Sequence, residues 1–434
     1  MSNGCESYRV AESKRSEEFG WQMSRRGLLA TVGLGAAGWL GAKSALAQVV
    51  VSEDAKDHEG DILISVFLRG GMDGLSAVVP YAEDAYHRGR PNLRLRSPKD
   101  NSAGAAYKAL DLDGFFGLNP GLAALLPLYK EGKMAVVHAV GSGDQTRSHF
   151  EAMNAMERGM HQIRGGVQTG WVARHLASTP RRNPTPLRAV ALSSVMPDAL
   201  RGASHATTMA SLTDFRLADP GLKEMLTGLY GNGNDVMAQA GRETLQVLDK
   251  LSHIKMENKP AGYPGSGLGI ALQQVATLIR SGVGLEVACL EMGGWDTHVA
   301  QGTISGWLPG YLKELGDALA AFEKDMGPEM RRITLIVQTE FGRRVNENTG
   351  LGTDHGRASA MFLLGGSVRG GRVFADWPGM EEKQLDEVGD LRVTTDYRDV
   401  LADALTQRVA GSRPAEVFPG WEPKRSGGYF SPLS

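Results

Sequence analysis

The most regular feature of the chain is a series of short apolar runs, each with a polar cluster close by. Ile62-Leu63-Ile64-Ser65-Val66-Phe67-Leu68 is β-branched and apolar, the composition of a strand buried on both faces. Met134–Val140, Arg188–Leu192, Leu285–Glu291, Ile333–Thr339 and Met361–Leu364 repeat it. Between them, helices are predicted at Leu122–Tyr129, Thr146–Arg158, Gly221–Tyr230, Asp235–His253, Leu268–Arg280, Leu308–Asp325 and Tyr397–Arg408. Asn119-Pro120 supplies a cap and a first-turn proline for the earliest of these. Short strands alternating with helices predict an α/β fold, a three-layer α/β/α sandwich around a mostly parallel sheet. Such sheets carry their sites at the carboxyl ends of the strands. The stretch of about 161–267 has few strand signals and is expected to form a helical insertion or a partial cap.

The amino end follows a different pattern. Ser24-Arg25-Arg26-Gly27-Leu28-Leu29 places paired arginines before a weakly apolar run, Leu28–Leu40, and Ala45-Leu46-Ala47 follows. Charge, apolar stretch and A-x-A in that order describe a twin-arginine export signal over 1–47, cut after Ala47. The run is too short for a stable span. The expected partner is therefore the twin-arginine translocase, the destination periplasmic or secreted, with no membrane span after cleavage. Gly33-Leu34-Gly35-Ala36-Ala37-Gly38 fits G-x-G-x-x-G, but no strand precedes it, and it lies in the segment to be removed. A polar linker over 48–60 leads into one domain, 61–434.

Composition narrows the function. The formal net charge of −2 gives no basic excess for nucleic acid. Cys5 precedes the expected cut, so Cys289 stands alone and no internal disulfide can form. Stability in an oxidising compartment then has to come from the core, and Cys289, inside an apolar run, reads as buried filler.

The chemistry lies in the polar clusters. Asp73 ends the first run; Asp144, Thr146, Arg147, Ser148 and His149 follow the second. Asp296-Thr297-His298 follows the Cys289 run, Glu340 closes Ile333–Thr339, and Asp354-His355-Gly356-Arg357 precedes the last. Converging carboxylates and imidazoles without a thiolate are a ligand mix for a divalent ion such as zinc, manganese, calcium or magnesium. Each cluster also has a plainer reading. Asp73 after Gly70-Gly71 serves equally as a turn residue. Asp296-x-His298 puts two ligands on one side of an extended backbone, though D-x-H is common by chance. Glu340 can cap a helix or pair with Arg343 or Arg344, and His355 can be a hydrogen-bonded loop histidine. Thr146 and Ser148 stand where helix caps stand; as nucleophiles they would work at a helix amino end, with Arg147 adding charge.

As a set, these segments resemble the DUF1501 family of exported proteins, which is grouped with the alkaline phosphatase/sulfatase superfamily. The carrying residues are Leu68–Leu75, Thr146–Ala152, Gly293–His298, Gln338–Arg343, Thr353–Arg357 and Phe418-Pro419-Gly420. The resemblance implies an alkaline-phosphatase-like fold. It makes Asp73 the first metal ligand and Ser148 the nucleophile, with Thr146 as second choice. It pairs Asp296 with His298 at one metal, completed by Asp354-His355. A second Asp-His pair is replaced here by Glu340 and Phe341, and phenylalanine cannot ligate. Arg147, Arg343 and Arg357 would steady anionic oxygens, with His149 a ligand or a proton carrier.

The function expected from this is an exported metal-dependent hydrolase of phosphate or sulfate esters, acting on a small anionic ester or a polymer. The alternative is a catalytically inactive relative that serves as a periplasmic binding or accessory protein. A serine hydrolase is less favoured for want of G-x-S-x-G, and no flavin, haem or cluster motif supports redox chemistry.

Overall fold

The computed structural model describes residues 61–432 apart from 163–166, 183, 214, 218, 220, 255–261, 387–388 and 424–427. The export-signal residues Arg25, Arg26 and Ala47 lie outside the described residues. The main sheet is built from β1 (Ile62–Leu68), β2 (Met134–Gly141), β3 (Ala189–Leu192), β4 (Ala206–Met209), β5 (Val287–Met292), β6 (Ile333–Thr339), β7 (Ser359–Gly365), β8 (Val373–Phe374) and β9 (Thr395–Asp396). Its order is β8-β2-β7-β6-β1-β5-β3-β4, with β9 also pairing β2. Central β1 pairs in parallel with β5, Ser65 opposite Cys289, and with β6, Ser65 opposite Ile336. β7 alone runs against its neighbours β6 and β2.

All seven residues of β1 are buried, as are all seven of β6. At roughly 1.5–3 kcal/mol for each fully buried large aliphatic side chain, such strands hold the centre of the molecule. On one face, Leu63, Phe67, Val137, Cys289 and Ile336 pack with residues of α1 (His149–Glu157), α2 (Trp171–Ser178) and the later helix Tyr397–Arg408. Ile62, Ile64 and Val66 alternate with these and are equally buried. The helices α5 (Gly267–Arg280) and α6 (Trp307–Met326) pack against each other, and α5 against β5. The result is a mixed, mostly parallel sheet with helices on both sides.

The expected helical insertion over about 161–267 is corrected. β3 and β4 extend the main sheet in parallel with β5, and α2 buries Trp171 and Val172 in the core. Among the described residues, 217–249 fall in a separate compact unit, with α3 (Leu222–Gly231) and most of α4 (Val236–Ser252). β4 escapes a pattern reading because Ala-Thr-Thr-Met is barely apolar. Among the described residues, no helix is long and apolar enough to cross a membrane.

Candidate metal centre

Four sequence-distant segments meet at the carboxyl ends of β1, β5 and β6. His149 is the first residue of α1, after the cap residue Ser148. Asp296 and His298 lie just past β5, with buried Thr297 between them turned toward Gln301. Glu340 directly follows β6. His355 approaches from the loop before β7, bridged to Arg343 in antiparallel fashion. Gly70 permits this meeting: its φ is +118°, and a Cβ there would stand 2.7 Å from the Asp296 amide nitrogen.

The imidazole Nε2 atoms of His149, His298 and His355 lie 3.4, 3.0 and 3.1 Å from one oxygen, Asp296 Oδ1. His355 Nε2 is also 3.0 Å from His149 Nε2 and 2.8 Å from His298 Nε2. Each ring is held from behind by its other nitrogen. His149 Nδ1 meets Glu340 Oε1 at 2.7 Å, His298 Nδ1 meets Asp354 Oδ1 at 3.0 Å, and His355 Nδ1 meets the Arg147 carbonyl at 2.8 Å.

These three oxygens can only accept, so each Nδ1 carries a proton and each ring turns its Nε2 inward, free to bind a cation once any proton there has left. Lone pairs facing one another at such distances repel unless a proton or a cation lies between them. Tetrahedral ligands about 2.1 Å from a common ion stand about 3.4 Å apart, close to the spacing here. Nδ1 donation to carboxylate or carbonyl is also the usual support of a metal-bound histidine. His149, Asp296 and His355 thus form a set compatible with a metal ion, and His298 adds a nitrogen against the same oxygen.

Without an ion, protons take its place between these groups, and a bound cation would displace them. Burial works against an ionised Asp296, yet hydrogen bonds from the three histidines and the charge of Arg343 hold its carboxyl far below the usual range. Burial likewise opposes a charged His149, but Asp296 and Glu340 raise its pKa to about 9. Glu340, wholly buried, is held low by His149, and Asp354 by Asn348 and His298, each against the cost of burial. His355 is pushed down, chiefly by burial and then by Arg343 and His149.

A family model described as protein of unknown function (DUF1501) matches residues 61–411. The chain belongs to the DUF1501 family. No curated protein matches it. One solved structure that resembles it is that of BT1596, a 2-O GAG sulfatase. The two share 10% identity over 85% of this chain and 76% of that one, with a TM-score of 0.29. A likeness at that level carries no argument about fold or chemistry.

Within this DUF1501 chain, several expected site residues take other places. Asp73 is fully buried; its Oδ2 accepts from Arg90 Nη1 at 2.5 Å and Gln301 Nε2 at 2.7 Å, so an arginine already balances its charge, while Oδ1 has no hydrogen-bond partner. Glu340 and Asp354 stand behind histidines and orient them. Arg343, 1% exposed, gives its donors to the carbonyls of Gly70, Gly71, Trp295 and Thr353 and to Asp296, and offers no free face to an anion. Arg357 pairs with Asp386, and Arg147 with Asp390 at 2.6 Å. Thr146 donates to Glu151 Oε2 at 2.9 Å and accepts from the Ser148 amide, which makes it a local brace. The Ser148 hydroxyl makes no capping bond.

Phe341 stands where the resemblance expects a ligating histidine. Its ring is 5% exposed and lies 4.7 Å from His149 and 4.9 Å from His355, an apolar wall to the cluster. Sequence reasoning missed the supporting groups, the Arg147 carbonyl and Arg90. A backbone oxygen leaves no trace in residue type, and Arg90 is seventeen positions beyond its partner.

Proposed function

We propose that the chain is an exported metal-dependent hydrolase of phosphate or sulfate esters, with a single divalent ion held by His149, Asp296, His298 and His355. The observation that carries this is the convergence of three Nε2 atoms and one carboxylate oxygen, each ring fixed by its Nδ1 partner. A divalent ion bound there supplies Lewis acidity toward a phosphoryl or sulfuryl oxygen and lowers the pKa of a nearby hydroxyl or water.

The chain's own residues divide the remaining tasks. Ser148, next to His149 and at the amino end of α1, offers an uncapped hydroxyl as nucleophile, and the helix end favours the anion it attacks. Glu340 and Asp354 keep the rings in the ligating tautomer. Phe341 and the sheet floor exclude water from one side of the cluster. Delivery by the twin-arginine translocase to the periplasm fits the paired arginines before the apolar run.

The second reading, a catalytically inactive binding or accessory protein, draws on Phe341 and on the Asp73–Arg90 pair: among the described residues, neither supplies a ligand set for a second ion. One experiment separates the two: metal analysis of the purified protein, together with turnover of aryl phosphate and aryl sulfate esters by wild type and Ser148→Ala. The hydrolase reading expects about one metal per chain and a loss of at least about 10³-fold in the variant. Absence of metal after careful purification would sink it. Metal without turnover, and function indifferent to Ser148, would leave the binding protein.

A further inference from the structure

Beside the metal centre lies a group of arginines that includes Arg147 and Arg357, which the resemblance expects to steady anionic oxygens, and also Arg344 and Arg392. Arg147 and Arg344 share one carboxylate, Asp390, at 2.6 and 3.9 Å. Arg357 and Arg392 share another, Asp386, the second at 3.5 Å. Among the described residues, four guanidinium groups therefore share Asp386 and Asp390, with Asp354 also near Arg344, and positive charge is left over.

The contrast with Arg343 is instructive. Each of its three nitrogens donates, mostly to backbone carbonyls, as in an arginine built to hold backbone in place. In the outer group, the Nε atoms of Arg147, Arg344 and Arg357 are buried without a hydrogen-bond partner, so contact with an anion falls to the terminal Nη atoms. The side chains of Arg147, Arg344 and Arg392 are 37%, 36% and 50% exposed, so their heads reach solvent. Partly exposed guanidinium groups that share too few carboxylates are suited to capture of an oxyanion through their Nη donors.

The group is also tied to the metal ligands. The Arg147 carbonyl accepts from His355 Nδ1, the Arg344 amide donates to the Asp354 carbonyl at 2.9 Å, and Arg357 is two residues past His355. An anion resting there is therefore held in register with the centre rather than on a remote surface.

We propose that Arg147, Arg344, Arg357 and Arg392 form an anion subsite beside the metal centre, which receives a second oxyanion of the substrate, remote from the ester that is cleaved. The subsite as a substrate site rests on the hydrolase reading and narrows it: the preferred esters carry at least two anionic groups. A mono-anionic aryl ester would fill the centre alone and leave the arginines vacant.

The test uses the full chain and the double variant Arg344→Ala/Arg392→Ala, whose altered side chains are partly exposed; the single variant Arg392→Glu guards against misfolding of the first. Calorimetry with inorganic sulfate and, separately, acetate measures anion binding directly. Turnover of aryl esters with and without a second anionic group measures its use. The expected result is salt-sensitive sulfate binding that weakens at least ten-fold in both variants at unchanged metal content. For bis-anionic esters KM should rise about ten-fold with kcat within about two-fold, while mono-anionic esters are little affected. Tighter acetate than sulfate binding would assign the subsite to carboxylates. Sulfate and acetate binding both absent from wild type, or equal in wild type and variants, would overturn the proposal even if the metal and the turnover are found. Arginine-dependent anion binding without any turnover would remove the hydrolase and keep the anion site.

Discussion

Glu340 Oε1 accepts a hydrogen bond from His149 Nδ1 at 2.7 Å and a second from the Gly70 amide at 2.8 Å. One carboxylate thus ties the first helix after β2 to the turn after β1, and fixes which nitrogen His149 presents. Removing it should free the ring. Glu340→Ala is expected to lower metal affinity about 10–100-fold, as loss of a supporting carboxylate does elsewhere. Competition with a chelating dye would measure this, and unchanged affinity would show that the ring is held by something else.

The Asp73–Arg90 pair gives a sharper discrimination. Asp73 is fully buried, and although burial opposes its charge, Arg90 and the hydrogen bonds around it hold its pKa low. Arg90→Met strands that carboxylate and should cost about 3–5 kcal/mol in unfolding free energy. Asp73→Asn should leave the metal content per chain unchanged. If metal analysis showed loss of the ion in that variant, Asp73 would be a ligand after all.

Gly71 has φ +66°, and a Cβ there would come within 2.7 Å of the Phe341 ring. Gly71→Ala should therefore strain the turn and push Phe341 against His149 and His355. An expected loss of about 1–3 kcal/mol would be read by thermal unfolding. Metal affinity should fall with it, since the same ring packs on two ligands. A variant as stable as wild type would mean that the turn relaxes freely.

His138 offers a pH test away from the centre. It is fully buried beside Phe116 and Trp377, and burial lowers its pKa to about 4, with only partial recovery from the Val78 carbonyl. The unfolded chain takes up that proton near pH 6.5, the folded chain only near 4. The contribution is thus complete above about 6.5 and is lost as pH falls toward 4, by roughly 3 kcal/mol. Denaturant unfolding across this range should show the slope, and His138→Gln should flatten it.

How much of this was legible beforehand depends on what residue type encodes. β1 and β6 match their apolar runs residue for residue, because complete burial demands such composition. The reversal of β7 is invisible in its sequence, since an apolar strand reads alike in both directions. The Asp296, His298 and His355 cluster was readable because imidazoles and carboxylates at strand ends are conspicuous. Its supporting roles were not. Arg343 looks like a free cation until backbone carbonyls are seen around it, and Glu340 differs from a ligand only by which atom it faces.

The reversal of β7 bears on how this centre can change. Because β7 opens at the rim where β6 closes, the segment 340–358 departs and returns at one edge, zipped by Gly342 to Arg357 and Gly356 to Gly342 backbone bonds. It is a hairpin whose tip, near Leu351, lies well outside the sheet. Lengthening or trimming that tip would reshape the mouth above His298 and His355 while the sheet of apolar strands beneath stays as it is.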